Sequence, residues 1–343
     1  MNQNNVIAID LAKNVFDACV VDKAGKVLSE KTIQRRHLAK YLSKQAPALV
    51  AMEACAGAHY WSRVAQAQGH QVILLPAKFV TAFRQGHKTD ANDALAIAIA
   101  CRQPKVKGVA VKTIEQQDLQ SCRRVYEHLS QQRTAVSNML RGLLAEFGIV
   151  FGKGFSQLKR QVPCILEEAE NDLPFRFRET LHLAWQHWQG LEEELKACEK
   201  MLQNRVNQHT HCRELMQLEG VGPMNALGLY VTLGDGSSFK NGRCAAACIG
   251  VTPKQSSSGG VVHMKGIGKK TGCKALRSSL IQGAQAVITA LDKRPPRSEK
   301  ERWLKSVIER RGRGRAAVAL ANKTVRTAWA MLKYNQPYQL MES

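Results

Sequence analysis

Short apolar runs alternate with helical patterns over the first third of the chain. Val6-Ile7-Ala8-Ile9 and Ala48-Leu49-Val50-Ala51-Met52 are continuous apolar runs, which are typical of strands buried on both faces. The pattern predicts strands over residues 6–10, 14–21, 26–33, 48–53 and 70–75. It predicts helices over residues 36–46, 58–68 and 90–102, the last of them closed by Pro104.

The order of these elements indicates a fold class. Residues 22–25 read Asp-Lys-Ala-Gly, which is a turn sequence, so the second and third strands should form a hairpin. Three hairpin strands followed by alternating helices and strands match a ribonuclease-H-like α/β order. We therefore expect an α/β domain over residues 1–112, followed by mainly helical regions.

The middle of the chain, residues 113–210, is helical in period. Residues 116–147 predict one long polar helix, and residues 153–178 predict a connection to the next helix. That helix carries an apolar stripe with mostly four–three spacing: Leu181, Trp185, Trp188, Leu191, Leu195, Cys198, Leu202 and Val206. The stripe predicts a coiled-coil or helical-hairpin seam, and a core helix packed inside one subunit is the alternative.

The last part, residues 211–343, reads as a mainly helical domain. The segment Leu218-Glu219-Gly220-Val221-Gly222-Pro223 predicts a tight turn between two helices, similar to a helix-hairpin-helix. Backbone N–H groups at Gly220 and Gly222 could hold a phosphate there, whereas a plain helix-turn-helix corner would need no ligand. Residues 250–272 predict a Ser- and Gly-rich loop that carries Lys254, Lys265, Lys269 and Lys270.

The charge of the chain narrows the class of partner. Its 343 residues include 50 Lys and Arg against 28 Asp and Glu, which leaves a formal charge of +22. Such an excess predicts a polyanionic partner, most simply nucleic acid, although a merely basic protein bound near the ribosome would share it. The run from Arg310 to Arg315 cannot be a packed core. We interpret Arg311, Arg313 and Arg315 as phosphate contacts, with a solvated face as the alternative.

Membrane and disulfide-rich secreted proteins do not fit the sequence. No apolar run approaches the roughly 20 residues that span a bilayer, and the N-terminus lacks a secretory signal pattern, so we expect a cytoplasmic protein without a membrane partner. The ten cysteines are scattered and contain no CxxC pair, which favours reduced thiols. A zinc site at Cys244, Cys248 and His263 is a weaker alternative.

Four carboxylates stand where a metal-dependent phosphoryl-transfer site would need them. Asp10 and Glu53 end two apolar strands, and Asp90 and Asp93 lie three residues apart at the start of a helix. Two strand-end acids and an i, i+3 helical pair can converge on one point. Because close carboxylates repel each other unless a cation lies between them, and because hard oxygen ligands suit Mg²⁺, the set predicts a magnesium site.

Five motifs follow one another along the chain. They are Ile9-Asp10-Leu11-Ala12-Lys13; Met52-Glu53-Ala54-Cys55-Ala56-Gly57; Lys88-Thr89-Asp90-Ala91-Asn92-Asp93-Ala94; Glu219-Gly220-Val221-Gly222; and Gly250-Val251-Thr252-Pro253 through Ser258-Gly259, with Gly272 and Leu276-Arg277 behind it. In this order the motifs resemble the insertion-sequence transposases of the DEDD class, which are related to the Piv-type DNA invertases and include bridge-RNA-guided recombinases. The resemblance covers nearly the whole chain.

The resemblance implies a RuvC-like catalytic domain, a coiled-coil dimerisation region and a C-terminal domain with a catalytic serine. By motif position the serine is Ser258, which directly precedes Gly259, although Ser256 and Ser257 adjoin it and a one-residue slip would change the assignment. It also implies a bacterial, nucleoid-associated homodimer or homotetramer, in which the acids of one subunit meet the serine of another. An element-encoded noncoding RNA would pair with donor and target DNA and so choose the sites.

The chemistry predicted in this way is the cutting and rejoining of DNA through a covalent serine–DNA intermediate. A serine ester conserves the energy of the phosphodiester, so that a different strand can attack it later. Mg²⁺ at the four acids would activate the Ser258 hydroxyl and neutralise charge on the phosphate. Basic residues would hold the DNA backbone near the serine. For this role we select Lys88, Lys254, Lys265, Lys269 and Lys270, with a solvated position as the alternative for Lys88.

Three alternative functions differ in their nucleophile or substrate. A RuvC-like, structure-specific endonuclease of the Holliday-junction type would use the same acids with water as the nucleophile, and has no need of Ser258-Gly259. An actin-type ATPase would need Gly and Ser or Thr after Asp10, where Leu11-Ala12-Lys13 stands instead. A nucleic-acid-binding protein without enzymatic activity would need none of the acids.

Overall fold

The structure is a computed structural model that describes residues 5–87, 89–268 and 272–338. The chain divides into two compact units, Met1–Thr113 and Ile114–Ser343, which we call the first unit and the second unit. Over the described residues the first unit mixes helices and strands, and the second unit is helical apart from one hairpin. The mixed α/β class with a helical C-terminal region is thus confirmed, whereas the division at residues 112 and 210 stays a prediction.

The first unit is built on a five-stranded sheet. Its strands are β1 (Val6–Leu11), β2 (Val15–Val21), β3 (Val27–Gln34), β4 (Leu49–Glu53) and β5 (Gln71–Leu75), each within one residue of its predicted bounds. The strand order is β3-β2-β1-β4-β5. The first three strands pair antiparallel, and β1, β4 and β5 run parallel.

Helices cover both faces of this sheet. They are α1 (Leu38–Ser43), α2 (Ala58–Ala67), α3 (Ala77–Phe83) and α4 (Asp90–Ala100). The helix predicted over residues 36–46 is shorter than expected and is preceded by a 3₁₀ turn, Arg35–His37. Helix α3 was not predicted, because its seven residues are too few to show a helical period.

Both faces of β1 are buried, which explains its continuous apolar run. Ile7 and Ile9 pack on one face of the sheet with residues of α1 and α2, among them Trp61. Val6 and Ala8 pack on the other face with residues of α4. Because side chains alternate along a strand, each position in β1 is committed to one of the two helical layers.

The second unit consists mainly of helices, two of which are more than 30 residues long. The helices are α5 (Ile114–Ala145), α6 (Phe155–Glu167), α7 (Phe175–Gln208), α8 (Thr210–Leu215), α9 (Pro223–Leu233), α10 (Gly242–Ile249), α11 (Lys274–Leu291), α12 (Glu299–Arg311) and α13 (Arg313–Tyr334). Helices α5 and α7 run antiparallel, since Asp118 pairs with Arg205 near one end and Arg133 pairs with Glu192 at 2.6 Å further along. None of the described helices has the length and apolar character needed to cross a lipid bilayer.

The apolar stripe of α7 is buried inside the chain. Leu181, Trp185 and Trp188 pack with α5 and α6, and the rings of the two tryptophans stack with their centroids 5.1 Å apart. Leu202 and Val206 pack into a core shared with α9 and the later helices. This is the helical-hairpin seam and core helix that the sequence left open, and a coiled coil between subunits stays a prediction.

Two segments differ from the sequence prediction. Residues 153–178 were expected to be a connection, but they contain α6, whose apolar face buries Leu158 and Val162 despite Pro163 in the helix. Residues 250–272 were expected to be a loop, but they contain a hairpin of β6 (Pro253–Ser258) and β7 (Val261–Ile267). Every residue from 253 to 266 is exposed, so the hairpin shows no alternation between apolar and polar positions.

Candidate active site and nucleic-acid interface

Strand register brings Asp10 and Glu53 together. In the parallel pair β1–β4, Ala8 lies opposite Ala51 and Ile9 opposite Met52, so Asp10 and Glu53 are the next neighbours along the two strands. Ala8 and Ala51 belong to the core under α4. Because side chains alternate, Asp10 and Glu53, two residues further on, point to the same side as these alanines and therefore toward α4.

The start of α4 supplies the other two acids. The Thr89 side chain caps the helix by accepting a hydrogen bond from the backbone N–H of Asn92 at 3.3 Å. Asp90 and Asp93 both lie in the first turn, where the unpaired N–H groups and the helix dipole favour negative charge. The predicted i, i+3 pair is therefore part of a capped helix start.

The electrostatics of Asp10 show that the four predicted acids are neighbours. Burial, followed by the charges of Asp93, Asp90, Glu53 and Asp17, raises the pKa of Asp10 from 3.8 to about 6. Each nearby carboxylate makes a negative charge on Asp10 less favourable. A divalent cation at this point would reverse that effect.

Asp17 is a fifth acid that the sequence analysis missed. It lies directly opposite Asp10 in the antiparallel pair β1–β2, and its carboxylate accepts a hydrogen bond from the Thr32 hydroxyl at 2.7 Å. The signal in the sequence was an aspartate within a predicted strand, between the apolar residues Phe16 and Ala18. The structure buries both of these neighbours. Only the pairing register shows that this aspartate faces Asp10.

Arg84 is a second residue that the sequence analysis missed. Its guanidinium lies 3.2 Å from the Asp93 carboxylate, and the two side chains are 27% and 18% exposed. Arg84 follows α3, a helix that the sequence did not predict, and no pattern distinguished it from other arginines. This contact places a positive charge beside the acids.

The four predicted acids are neighbours but do not form a closed ligand cage. Among the described residues, no group of three or more His, Cys, Asp or Glu side chains is arranged to hold a metal ion. Their carboxylate oxygens are ligands that Mg²⁺ prefers, so the donor set fits the ion chemically. The side chains would have to draw together around it. Cys244, Cys248 and His263 likewise form no such group, and none of the ten cysteines, all within the described residues, is in a disulfide.

The predicted nucleophile lies at the end of the exposed hairpin. Ser258 is the last residue of β6 and pairs with Val261 across a two-residue turn, Gly259 and Gly260, whose φ angles are +55° and +78°. Glycine adopts these angles without strain, and two such residues make the type of turn that joins twisted strands tightly. The serine is thus held beside a tight turn.

The hairpin register separates the three consecutive serines. Ser256 pairs with His263 and Ser257 pairs with Val262. Successive side chains along each strand therefore point to opposite faces of the hairpin. Ser256, Ser258 and His263 share one face of the hairpin, and Ser257 lies on the other. A one-residue slip in the assignment of the nucleophile would therefore move the hydroxyl to the opposite face. His263 is a neighbour of the serines that sequence spacing did not reveal.

The predicted phosphate-binding turn contains two different glycines. Gly220 has φ = +75°, and a Cβ built on it would lie 2.7 Å from the backbone oxygen of Gly283 in α11, so close packing already requires glycine there. Gly222 is exposed and precedes Pro223, the first residue of α9, and a Cβ built on it would meet no atom within 4 Å. The structure therefore gives Gly220 a packing role and leaves the Gly222 backbone accessible.

The basic residues predicted to bind nucleic acid have different surroundings. Lys254, Lys265, Arg311 and Arg315 are exposed, and the last three line one groove of the second unit. Arg313 instead pairs with Asp292 at 2.7 Å, on the surface. Lys88, Lys269 and Lys270 lie outside the described residues.

Comparison with known protein families covers both units. Residues 7–149 match the family model of the DEDD-type IS110 transposases, described as a transposase, and residues 212–302 match the model described as the transposase IS116/IS110/IS902 family. The first match contains all four predicted acids, and the second contains Ser258.

Individual relatives match along nearly their whole length. The chain is 36% identical to the "Probable family 20 transposase" of Pseudomonas aeruginosa, over 97% of this chain and 98% of that protein. It is 33% identical to the transposase for insertion sequence element IS1111A of Coxiella burnetii, over 99% and 92%. A pilin gene-inverting protein of Moraxella bovis is 22% identical over 97% of both chains. The chain therefore belongs to the IS110/IS116/IS902 family of transposases, which are enzymes of DNA recombination.

Proposed function

We propose that this transposase cuts and rejoins DNA through a covalent bond between Ser258 and a DNA strand. The observation that carries the proposal is the convergence of Asp10, Glu53, Asp90 and Asp93 at one edge of the sheet, in a chain whose other unit presents an exposed serine. The sheet order, with a three-stranded antiparallel part extended by two parallel strands, supports a RuvC-like assignment of the first unit.

The proposed reaction is a transesterification that conserves the phosphodiester. The Ser258 hydroxyl loses its proton to solvent and its oxygen attacks the phosphorus, while the bond to the 3′-oxygen of the neighbouring nucleotide breaks and that oxygen takes up a proton. In the second step a 3′-hydroxyl of another strand attacks the phosphoserine, and the serine oxygen is released and protonated. No water enters the balance, so the number of phosphodiester bonds is restored.

The acids of the first unit would hold the divalent metal that the DEDD family implies. Asp10, Glu53, Asp90 and Asp93 offer oxygen ligands, and we assign Mg²⁺ to them. When bound, the ion would stabilise negative charge on the phosphate and on the oxygens that attack and leave. Arg84 beside Asp93 would keep part of the acidic charge neutral before the ion binds.

The test is to trap the covalent intermediate. Protein incubated with end-labelled DNA carrying the element junction, then denatured, should show a labelled band at the size of protein plus DNA. Ser258→Ala should abolish this band, and Asp10→Asn should abolish it as well. Cut DNA free of protein, made equally well by Ser258→Ala, would instead identify a RuvC-like endonuclease that uses water.

We further propose that an element-encoded noncoding RNA selects the donor and target DNA. The formal charge of +22 supports a large polyanionic partner beyond the DNA at one site. RNA that co-purifies with the protein, expressed with its natural flanking DNA, should map to the element and contain loops complementary to both junctions. Changing such a loop should redirect insertion to the matching sequence, and unchanged insertion would contradict the proposal.

A third part of the proposal is that the acids and the serine act from different subunits of a homodimer or homotetramer. Mixing Asp10→Asn protein with Ser258→Ala protein tests this, because each supplies the group that the other lacks. Recovery of recombination supports sharing between subunits. If the two variants carry different affinity tags, co-purification shows that the complex is mixed. A mixed complex that stays inactive would assign the acids and the serine to one chain.

A further inference from the structure

A long open groove lies in the second unit beside the serine hairpin. Its volume is about 1590 Å³, and its walls are the hairpin, the start of α10, helix α12 and helix α13. On the hairpin side it is lined by Pro253, Met264, Lys265, Gly266 and Ile267. The groove therefore shares an element with the predicted nucleophile but lies toward the base of that element, away from the turn at Gly259.

Among the residues that the structure describes, all charged side chains that line the groove are basic. The set is Arg243, Lys265, Arg311, Arg315, Lys323 and Arg326. Within the described part of the chain none of these six side chains forms an ion pair or hydrogen bond with another protein group. Arg313, by contrast, points to Asp292 and lies outside the groove. Lys323 contacts an aromatic ring, and the other five are cations without a protein partner among the described residues, which suits them to a chain of phosphates.

The lining of the groove also includes apolar residues and one partly exposed aromatic ring. Val251, Val318 and Ala330 contribute to it, and Trp303 lines it from α12. The Lys323 ammonium lies 4.4 Å from the centre of the Trp303 ring, which holds a positive charge beside an aromatic face. Trp329 also borders the groove, but it is buried and its indole N–H donates to the Gly236 carbonyl at 3.0 Å, so it has a structural role.

The walls of the groove are set by close packing. A Cβ on Gly242, at the start of α10, would lie 3.1 Å from the Cα of Arg326 in α13, so these helices touch. The Asn322 side chain donates to the Val251 carbonyl at 3.2 Å and ties α13 to the segment that leads into the hairpin. These contacts fix α10 and the segment before the hairpin against α13, and Leu304 of α12 packs with Leu320 of α13 in a shared core.

We propose that this groove binds single-stranded DNA, with phosphates along the basic residues and an unstacked base on Trp303. A duplex hides the faces of its bases, so a lining that includes apolar residues and an aromatic ring favours a single strand. Continuity with the Ser258 hairpin favours DNA as the occupant, and in this respect the inference rests on the proposed function. The groove would hold a part of the strand that lies further along from the phosphate that the serine attacks, toward the base of the hairpin.

The first test measures binding to oligonucleotides by fluorescence anisotropy. Trp303→Ala should weaken binding of single-stranded DNA on the order of tenfold, because stacking on an aromatic side chain contributes about that much per base. Trp303→Phe, which keeps a ring, should recover most of the affinity and also controls for folding. An abasic strand of the same length should bind the wild type and Trp303→Ala equally.

The second test concerns the phosphates. Arg311→Ala/Arg315→Ala should weaken single-strand binding and lower the slope of log affinity against log salt by about 1.4, since each phosphate contact on a single strand contributes about 0.7. The matched control is Arg302→Ala/Lys305→Ala, which removes two exposed cations of α12 that do not line the groove. The control should stay within about twofold of the wild type.

Three results would overturn the inference. They are equal single-strand binding by Trp303→Ala and the wild type, equal losses in the arginine pair and its control, and a stronger Trp303 dependence for RNA of the same sequence. Ser258→Ala should bind single strands like the wild type. If the groove variants bind normally while the Ser258–DNA adduct still forms in the wild type, the groove inference fails and the serine mechanism stands.

Discussion

The acid edge of the first unit and the serine hairpin of the second unit are built in opposite ways. Asp10 and Glu53 follow strand residues such as Ala8 and Ala51, which are fully buried between helical layers. Ser258 lies in a two-stranded hairpin that is exposed on both faces. A hairpin without a covering layer is only marginally stable by itself, so its conformation depends on the turn and on what binds it.

This difference indicates how the two parts of the chemistry are prepared. Packing fixes the strands that end in Asp10 and Glu53, and in the proposed mechanism a cation would reduce the repulsion among the acids. The serine is instead presented on a small element that a bound strand can contact from either side. Each of the following experiments breaks or sharpens this contrast.

The largest effect is expected at the serines. Ser258→Ala should lower formation of the covalent adduct by at least about a thousandfold, because no other group replaces a lost nucleophile. Ser257→Ala is the matched control, with the same chemistry on the opposite face of the hairpin, and should keep most of the activity. Adduct yield on denaturing gels is the measurement. Full activity of Ser258→Ala together with an inactive Ser256→Ala would move the nucleophile by two residues.

A substitution in the core under the acids should be more harmful to folding than one on the hairpin. Ala51→Leu adds three carbons to a fully buried site and should lower the free energy of unfolding by about 1–3 kcal/mol. Val262→Thr, at a side chain that is 56% exposed, should change it by less than about 0.5 kcal/mol. Urea unfolding measures both. Equal losses would show that the hairpin is packed as firmly as the sheet.

Asp10→Asn should stabilise the metal-free protein near neutral pH. The folded-state pKa of Asp10 is about 6, which is above its ordinary value of 3.8. The stability that this carboxyl contributes is therefore fully present below pH 3.8 and is lost as the pH rises through 6. The Asn variant lacks this loss and should gain on the order of 1 kcal/mol relative to the wild type at pH 7, allowing for solvent screening.

Urea unfolding in EDTA between acidic and neutral pH measures this difference. The gap between Asp10→Asn and the wild type should open with rising pH and shrink when Mg²⁺ is added, because the cation offsets the repulsion. Glu309→Gln, which removes an exposed carboxylate from α12, is the control and should show no comparable trend. A gap that is constant with pH would contradict the raised pKa of Asp10.

The smallest effect is expected at two ion pairs. Arg84→Ala should lower the free energy of unfolding by about 0.5 kcal/mol, because Asp93 loses a partly buried counter-charge beside other acids. Arg313→Ala breaks the pair with Asp292, whose side chains are 54% and 48% exposed, and should have a smaller effect. The difference should fade in high salt. A larger effect at Arg313 would contradict the assigned environments.

The parts of the fold that the sequence predicted well are those with a strong local period. The five strands of the first unit stand out because runs such as Val6 to Ile9 are buried on both faces. The Thr89 cap and the acids behind it likewise mark the start of α4. The acids at strand ends could be paired in advance, since parallel neighbours end at the same edge of a sheet.

The parts that were missed lack such a period. Pro253 to Ser258 form a strand in which every side chain is exposed, so nothing alternates. Pro163 suggested a break within residues 153–178, yet α6 continues through it because its apolar face packs on α5 and α7. Tertiary packing outweighed the local preference of these residues.

The sequence by itself determined which residues form the inner strands and that two carboxylates end strands while two begin a helix, and its charge predicted a polyanionic partner. Local period and net charge need no knowledge of distant contacts. Only the tertiary structure decided that Asp17 faces Asp10, that Arg84 pairs with Asp93, and that Trp303 joins basic residues from three other elements in one groove. These relations join residues far apart in the chain, and they depend on strand register and helix packing, which no local pattern specifies.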